Sequence, residues 1–262
     1  MTELASGKLV LDEPAEGLAR LTIANPEKRG ALDHEILDAL AEVVARLDAR
    51  CLLLTGTGSM FSAGYDIGNL EEADFEEQAE ALVAHPFHAA IEALEAYAFP
   101  VVAALNGHAI GGGLELALTA DIRLAAPDIK LGMPPAKLGL IYSHTGLRKF
   151  IEVCGVANTA ELFYVGRNVD VERAREMGLV NQVVDDVAQA GLSLAAEIAA
   201  NAPLSLAGNK RAIATLRRYT SALPPDVEAE LVELRESCFR SEDFREGVRA
   251  FGEKRAPRWQ GR

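Results

Sequence analysis

Residues 8 to 24, KLVLDEPAEGLARLTIA, alternate apolar and polar positions on both sides of Glu16-Gly17, which predicts two short strands joined by a tight turn. Asp33 precedes a run in which Ile36, Leu37, Leu40, Val43, Val44 and Leu47 recur at helical spacing, so a helix capped by Asp33 is expected. The segment CLLLTGTG from Cys51 reads as a strand, and the order strand, helix, strand implies a crossover and α/β architecture. The loop GTGSMFSAGYDIGNL separates this strand from a long acidic helical stretch over 74–97. Next, FPVVAALNG from Phe99 is apolar without alternation, as in a strand buried on both faces. A glycine triplet, Gly111 to Gly113, leads into a helix expected from about Leu114, and DIRLAAP from Asp121 reads as another strand. From about Thr145 helical spacing dominates, over 187–200, 205–221 and 226–240, with NQVV at 181–184 predicted as a short strand. An α/β core over residues 1–200 followed by a helical region over 201–262 is expected.

Composition narrows the classes. With 262 residues, 49% of them hydrophobic and 25% charged, the chain reads as globular rather than disordered. No segment approaches the roughly 18 consecutive apolar residues of a membrane span. The first residues, MTELASGKLVLDEP, carry neither the basic start nor the apolar centre of a secretory signal, so a cytoplasmic location without membrane contact is expected. Cys51, Cys154 and Cys238 are odd in number and widely spaced, which predicts buried thiols rather than a disulfide framework or a zinc site. The net charge of −13 disfavours a phosphate-gripping nucleic-acid binder.

The glycine triplet carries the first chemical signal. A glycine turn between a strand and a helix leaves unpaired N–H groups and the positive end of a helix facing whatever lies in front. In FSAGYD, the small residues Ser62, Ala63 and Gly64 allow a second close approach, after which another N–H can point outward. Two donors from separate loops can grip one oxygen. The chain has no G-x-x-x-x-G-K-[ST], and a dinucleotide fingerprint is not set up, so phosphate cradling is the lesser alternative.

The segments NPEKRGALD, FSAGYDI, NGHAIGGGLELALTADIRLA, GLVNQVV and FREGVRAFGEKRAPRWQGR occur in an order that resembles the crotonase, or enoyl-CoA hydratase/isomerase, superfamily, from roughly residue 8 to 260. The resemblance implies a crotonase-like spiral of β-β-α turns with a C-terminal helical trimerisation region, assembled as homotrimers or dimers of trimers. It implies an acyl-CoA substrate, with coenzyme A as part of the substrate and no separate cofactor or metal, and an enolate whose oxygen is held by the backbone N–H groups of Tyr65 and Gly112. Substrate contacts are expected from Ser62, Ala63, Gly64, Asp66, Ile67 and Gly111 in the two loops. Lys28 and Arg29 match the family region near the nucleotide, and Lys254 and Arg255 lie in a tail that in the family often reaches a neighbouring active site; all four are candidate ligand contacts.

Hydratases of the family use two carboxylates. Glu115 occupies the first position, whereas Pro135 stands at the second, and no Asp or Glu lies between Asp128 and Glu152. The segment LGMPPAKLGLIYSHTG is similar to the methylmalonyl-CoA decarboxylase branch, in which a tyrosine lies in the pocket; here it is Tyr142, with His144 a further polar candidate. That branch has a histidine where this chain has Tyr65. The resemblance therefore implies a lyase that decarboxylates a malonyl-type thioester, with Tyr142 orienting the carboxylate or helping reprotonation. One alternative is hydration or isomerisation by Glu115 alone; another is a non-catalytic CoA-binding or assembly protein. Simpler roles stand beside these: Glu115 complementing a helix end, Tyr142 as a satisfied buried tyrosine, His108 as packing, Asp66 and Asp121 bonding nearby backbone, and His85 and His88 without partners at metal spacing.

Overall fold

The computed structural model describes residues 1–66, 85–221 and 223–262. It begins with an antiparallel meander, β1 (Thr2–Leu4), β2 (Leu9–Ala15) and β3 (Leu18–Ile23), the predicted turn at Glu16-Gly17 joining the last two. Helix α1 (His34–Val44) follows, its Asp33 side chain accepting from the Ile36 N–H at 3.0 Å as a cap.

Three turns of a spiral come next. Each contributes a strand to a large sheet, a short strand to a small sheet, and a helix. The turns are β4 (Cys51–Gly56), β5 (Met60–Ser62) and α2 (His85–Ala96); then β6 (Val101–Leu105), β7 (His108–Ile110) and α3 (Gly112–Thr119); then β8 (Ile122–Ala125), β9 (Lys130–Gly132) and α4 (His144–Ala160). β10 (Val169–Asp170), α5 (Val171–Glu176) and β11 (Gln182–Val183) complete the sheets. The large sheet runs β1-β2-β3-β4-β6-β8-β11 and is parallel from β3 onward; the small one runs β10-β9-β7-β5. The β-β-α spiral implied by the resemblance is therefore present. Helices α6 (Val187–Ala199), α7 (Pro203–Ser221), α8 (Pro225–Phe239) and α9 (Glu242–Gly252) follow.

Alternation along the parallel strands divides the interior. Leu52, Leu54, Val101, Ala103 and Leu105 face the main core with α1, α2 and α3, while Cys51, Leu53, Val102, Ala104 and Leu124 face α6. This two-sided burial explains the continuous apolar run of β6. Helix α6 lies close enough that a Cβ on Gly191 would sit 2.9 Å from the Ala104 Cβ. All three cysteines are free and buried, and burial pushes the Cys51 thiol up to about 12. Among the described residues no single helix is long and apolar enough to cross a membrane.

Several elements differ from the sequence expectation. The small sheet was not predicted because strands of two or three residues are shorter than any periodicity they could display. Of the helix expected over 74–97, His85–Ala96 is observed, and 74–84 lie outside the described residues. The helix after the glycine triplet starts at Gly112 rather than near Leu114, with Gly111 as its cap.

Candidate active site

The loop after β5 is shaped by the NPEKRGALD segment. The Asn25 side chain donates to Ala31 O at 2.8 Å, and the Ser62 hydroxyl donates to Gly30 O at 2.7 Å. Ala63 N donates to Arg29 O, Leu32 N to Gly64 O, and Asp66 N to Leu32 O, at 2.8 to 3.1 Å. Leu32 and Tyr65 thus form an isolated parallel bridge in which Leu32 bonds the residues on either side of Tyr65. In a parallel bridge the central residue's own N–H points the other way. Tyr65 N–H is directed away from Leu32 and has no backbone acceptor among the described residues.

Gly112 provides the second donor. Gly111 N is held by Gly132 O at 2.8 Å, and the Gly111 carbonyl accepts from Leu114 N and Glu115 N, so Gly112 opens α3 with an N–H that has no intrahelical partner. Gly111 has φ 57° and ψ −127°, a conformation for which glycine is suited. Gly113 is required for packing, since a Cβ there would meet Ser62 O at 2.5 Å. The two loops touch at Gly64, whose φ is +89° and whose Cβ position is 3.0 Å from Gly112 N. Three glycines in a row therefore serve a backbone turn, an open donor and a loop contact.

Glu115 follows on the first turn of α3 and is 5% exposed. Its carboxylate accepts a hydrogen bond from the Tyr142 hydroxyl. Burial pushes the Glu115 carboxyl above the ordinary carboxylate range, opposed by the charge of Lys149 and the hydrogen bond from Tyr142. The Tyr142 and Tyr65 hydroxyls interact with one another, and burial followed by the Glu115 charge drives both well above 10, so both are neutral. Tyr65 stacks edge-on against Phe87 and Tyr142 against Phe163, with centroids 4.8 and 5.4 Å apart.

Lys149 is a buried cation that sequence reasoning missed. Its Nζ lies 2.8 Å from Glu95 Oε1 and donates to Thr119 Oγ1 at 2.7 Å, while that hydroxyl donates to Glu115 O. Lys149 thereby ties α2, α3 and α4 together behind Glu115. The available signal was its place on the buried stripe Gly146, Lys149, Phe150, Cys154, where an aliphatic residue would be ordinary.

Tyr65, Glu115, Tyr142, His144 and Lys149 line one cavity of about 560 Å³, within the size range of small-molecule sites. His144 opens α4 and approaches Glu228 at 3.4 Å. Several other predicted residues lie elsewhere. Pro135 is buried in a 3-10 turn, Pro135–Leu138, and is absent from the wall of this cavity. Lys28 is paired with Asp66 at 2.5 Å, Arg29 directs its guanidinium toward Met60 Sδ, and Lys254 is exposed beyond α9. Asp121 accepts from Val101 N and pairs with Lys210; His108 Nδ1 accepts from Lys130 N. Ile67 lies outside the described residues, and among the described residues no three His, Cys, Asp or Glu side chains gather to hold a metal.

Residues 13–262 match the enoyl-CoA hydratase/isomerase family profile. YngF of Bacillus subtilis strain 168, whose name places it among enoyl-CoA hydratases/isomerases, is 34% identical over 94% of this chain and 95% of its own length. The 1,2-epoxyphenylacetyl-CoA isomerase of Escherichia coli K12 is 33% identical over 97% and 99%. A methylmalonyl-CoA decarboxylase in complex with 2-nitronate-propionyl-CoA superposes with a TM-score of 0.87 at 25% identity, covering 97% of this chain and 99% of that one. The chain belongs to the enoyl-CoA hydratase/isomerase family and has the crotonase fold.

Proposed function

We propose that this member of the enoyl-CoA hydratase/isomerase family is an acyl-CoA lyase that decarboxylates a malonyl-type thioester such as methylmalonyl-CoA. The observation that carries the proposal is Glu115, the one buried carboxylate among the described residues, hydrogen-bonded to Tyr142 beside two outward N–H groups. In the proposed step the bond from the α-carbon to the carboxylate breaks, its electron pair forms the enolate, and carbon dioxide leaves. Tyr65 N–H and Gly112 N–H receive the charge on the thioester oxygen. Fixed donors of this kind stabilise such charge without reorganising, each contributing on the order of 100-fold or more in rate.

The enolate must then regain a proton at carbon. Glu115 is suited to supply it, because burial raises its affinity for a proton. Because Tyr142 donates to Glu115, it positions the acid rather than orienting the substrate.

The names of the sequence relatives favour a second reading, in which Glu115 alone hydrates or isomerises an enoyl thioester. Incubation with methylmalonyl-CoA separates the two: release of carbon dioxide supports decarboxylation, and its absence alongside turnover of an enoyl-CoA supports hydration or isomerisation. Assembly into trimers is also proposed, supported by exposed Leu204, Ile213 and Tyr219 on α7 and Tyr164 beyond α4. Light scattering during gel filtration tests it.

A further inference from the structure

Helix α8 closes the cavity with one face. Glu228, Val232, Arg235 and Phe239 all line it, and their spacing of four, three and four residues places them on a single helical stripe. The cations around the cavity differ in their partners. Lys149 is paired with Glu95, and Arg217 with Glu152 at 2.6 Å. Arg235 packs its guanidinium over the Phe239 ring, 5.4 Å from the centroid, and its Nε is buried without a hydrogen-bond partner. Among the described residues this is the one buried side-chain nitrogen or oxygen left unsatisfied.

A buried guanidinium N–H without an acceptor is unfavourable and is relieved by an anion that reaches it. Its place fixes where that anion must lie. Arg235 shares the cavity wall with Tyr65, Glu115 and Tyr142, and its charge acts on the Tyr65 hydroxyl. Tyr142 has already committed its proton to Glu115, leaving the recognition of a substrate carboxylate to another group. A planar, permanently charged fork suits a carboxylate.

We propose that Arg235 is the specificity-determining residue that selects acyl-CoA thioesters carrying a free carboxylate on the acyl group. The proposal deepens the malonyl-type reading, on which its choice of ligand rests. A carboxylate bound this way is stabilised before it leaves as neutral carbon dioxide, so Arg235 acts on substrate affinity rather than on the rate of bond breaking.

The test uses inert thioethers, so that binding is read apart from turnover. The affinities of 2-carboxypropyl-CoA, propyl-CoA and free coenzyme A are measured calorimetrically for the wild type, Arg235→Gln and Arg235→Lys. The wild type prefers 2-carboxypropyl-CoA over propyl-CoA by about 10- to 100-fold, the range for a hydrogen bond to a charged group. Arg235→Gln abolishes the preference with propyl-CoA affinity unchanged, and Arg235→Lys, which keeps a cation and a long stem, retains part of it. Absence of a preference in the wild type overturns the proposal. An equal loss of all three ligands in Arg235→Gln also overturns it, because the cation then reads a phosphate or supports the fold. If the preference behaves as stated while methylmalonyl-CoA is not decarboxylated, carboxylate selection by Arg235 stands and the decarboxylase reading falls.

Discussion

Replacement of Gly64 by alanine tests whether the two loops form one oxyanion hole. The new Cβ would lie 2.8 Å from Ile110 O and 3.0 Å from Gly112 N, at a backbone φ of +89°. Ordinary contact begins at 3.4 Å, so the carbonyl must recede by about 0.6 Å (3.4 − 2.8) and the Gly112 nitrogen by about 0.4 Å (3.4 − 3.0). A donor moved that far from an oxygen at about 2.9 Å falls outside good hydrogen-bond distance. Loss of one oxyanion donor lowers the rate by roughly 100- to 1,000-fold. The left-handed φ adds about 1–3 kcal/mol of strain, which appears as a lowered Tm. The assay is incorporation of deuterium at the α-carbon of propionyl-CoA in heavy water, followed by mass spectrometry, since it reports enolate formation whichever overall reaction the protein runs. A folded Gly64→Ala protein that exchanges within threefold of wild type would refute the two-loop oxyanion hole.

Further outcomes follow from the same geometry. Tyr142→Phe removes the hydroxyl that holds Glu115, and kcat for methylmalonyl-CoA is expected to fall about 10- to 100-fold, the range for a hydrogen bond to a charged group; steady-state kinetics check it, and full retained turnover removes Tyr142 from the mechanism. Lys149→Met deletes a charge that lowers the Glu115 pKa, so that pKa rises further. If protonated Glu115 is the active form, activity is lost as pH rises through this pKa, and the descending limb of the kcat profile moves to higher pH in the variant; movement of an ascending limb would instead identify a base. Gly191→Ala forces α6 off Ala104 and costs about 1–3 kcal/mol in urea denaturation while leaving KM unchanged.

Much of the spiral is legible in the chain because its central strands are buried on both faces and its helices on one. Val101 to Leu105 read as a strand through unbroken hydrophobicity, and α1 through Asp33 and its apolar stripe. The small sheet is not legible, since a three-residue strand such as Met60–Ser62 is defined by its partners rather than by local pattern. Tyr65, Gly112, Glu115 and Tyr142 were identified through motif resemblance, and the structure brings their segments together from three turns of the spiral. Lys149 and Arg235 carry no motif. Each became visible through its surroundings: Glu95 and Thr119 around Lys149, and the missing acceptor at Arg235. In the NPEKRGALD segment the Arg29, Gly30 and Leu32 backbone shapes the loop that carries Tyr65, through pairings no linear pattern encodes.

The most direct measurement is mass spectrometry of the purified protein incubated with methylmalonyl-CoA, ethylmalonyl-CoA, malonyl-CoA and crotonyl-CoA. Decarboxylation predicts loss of 44 mass units, on the order of one carbon dioxide, from a malonyl-type thioester, with one deuterium retained at the α-carbon in heavy water as the enolate is quenched. A gain of about 18 on crotonyl-CoA, with the malonyl-type thioesters untouched, would contradict it and show that Glu115 hydrates an enoyl thioester without a second carboxylate.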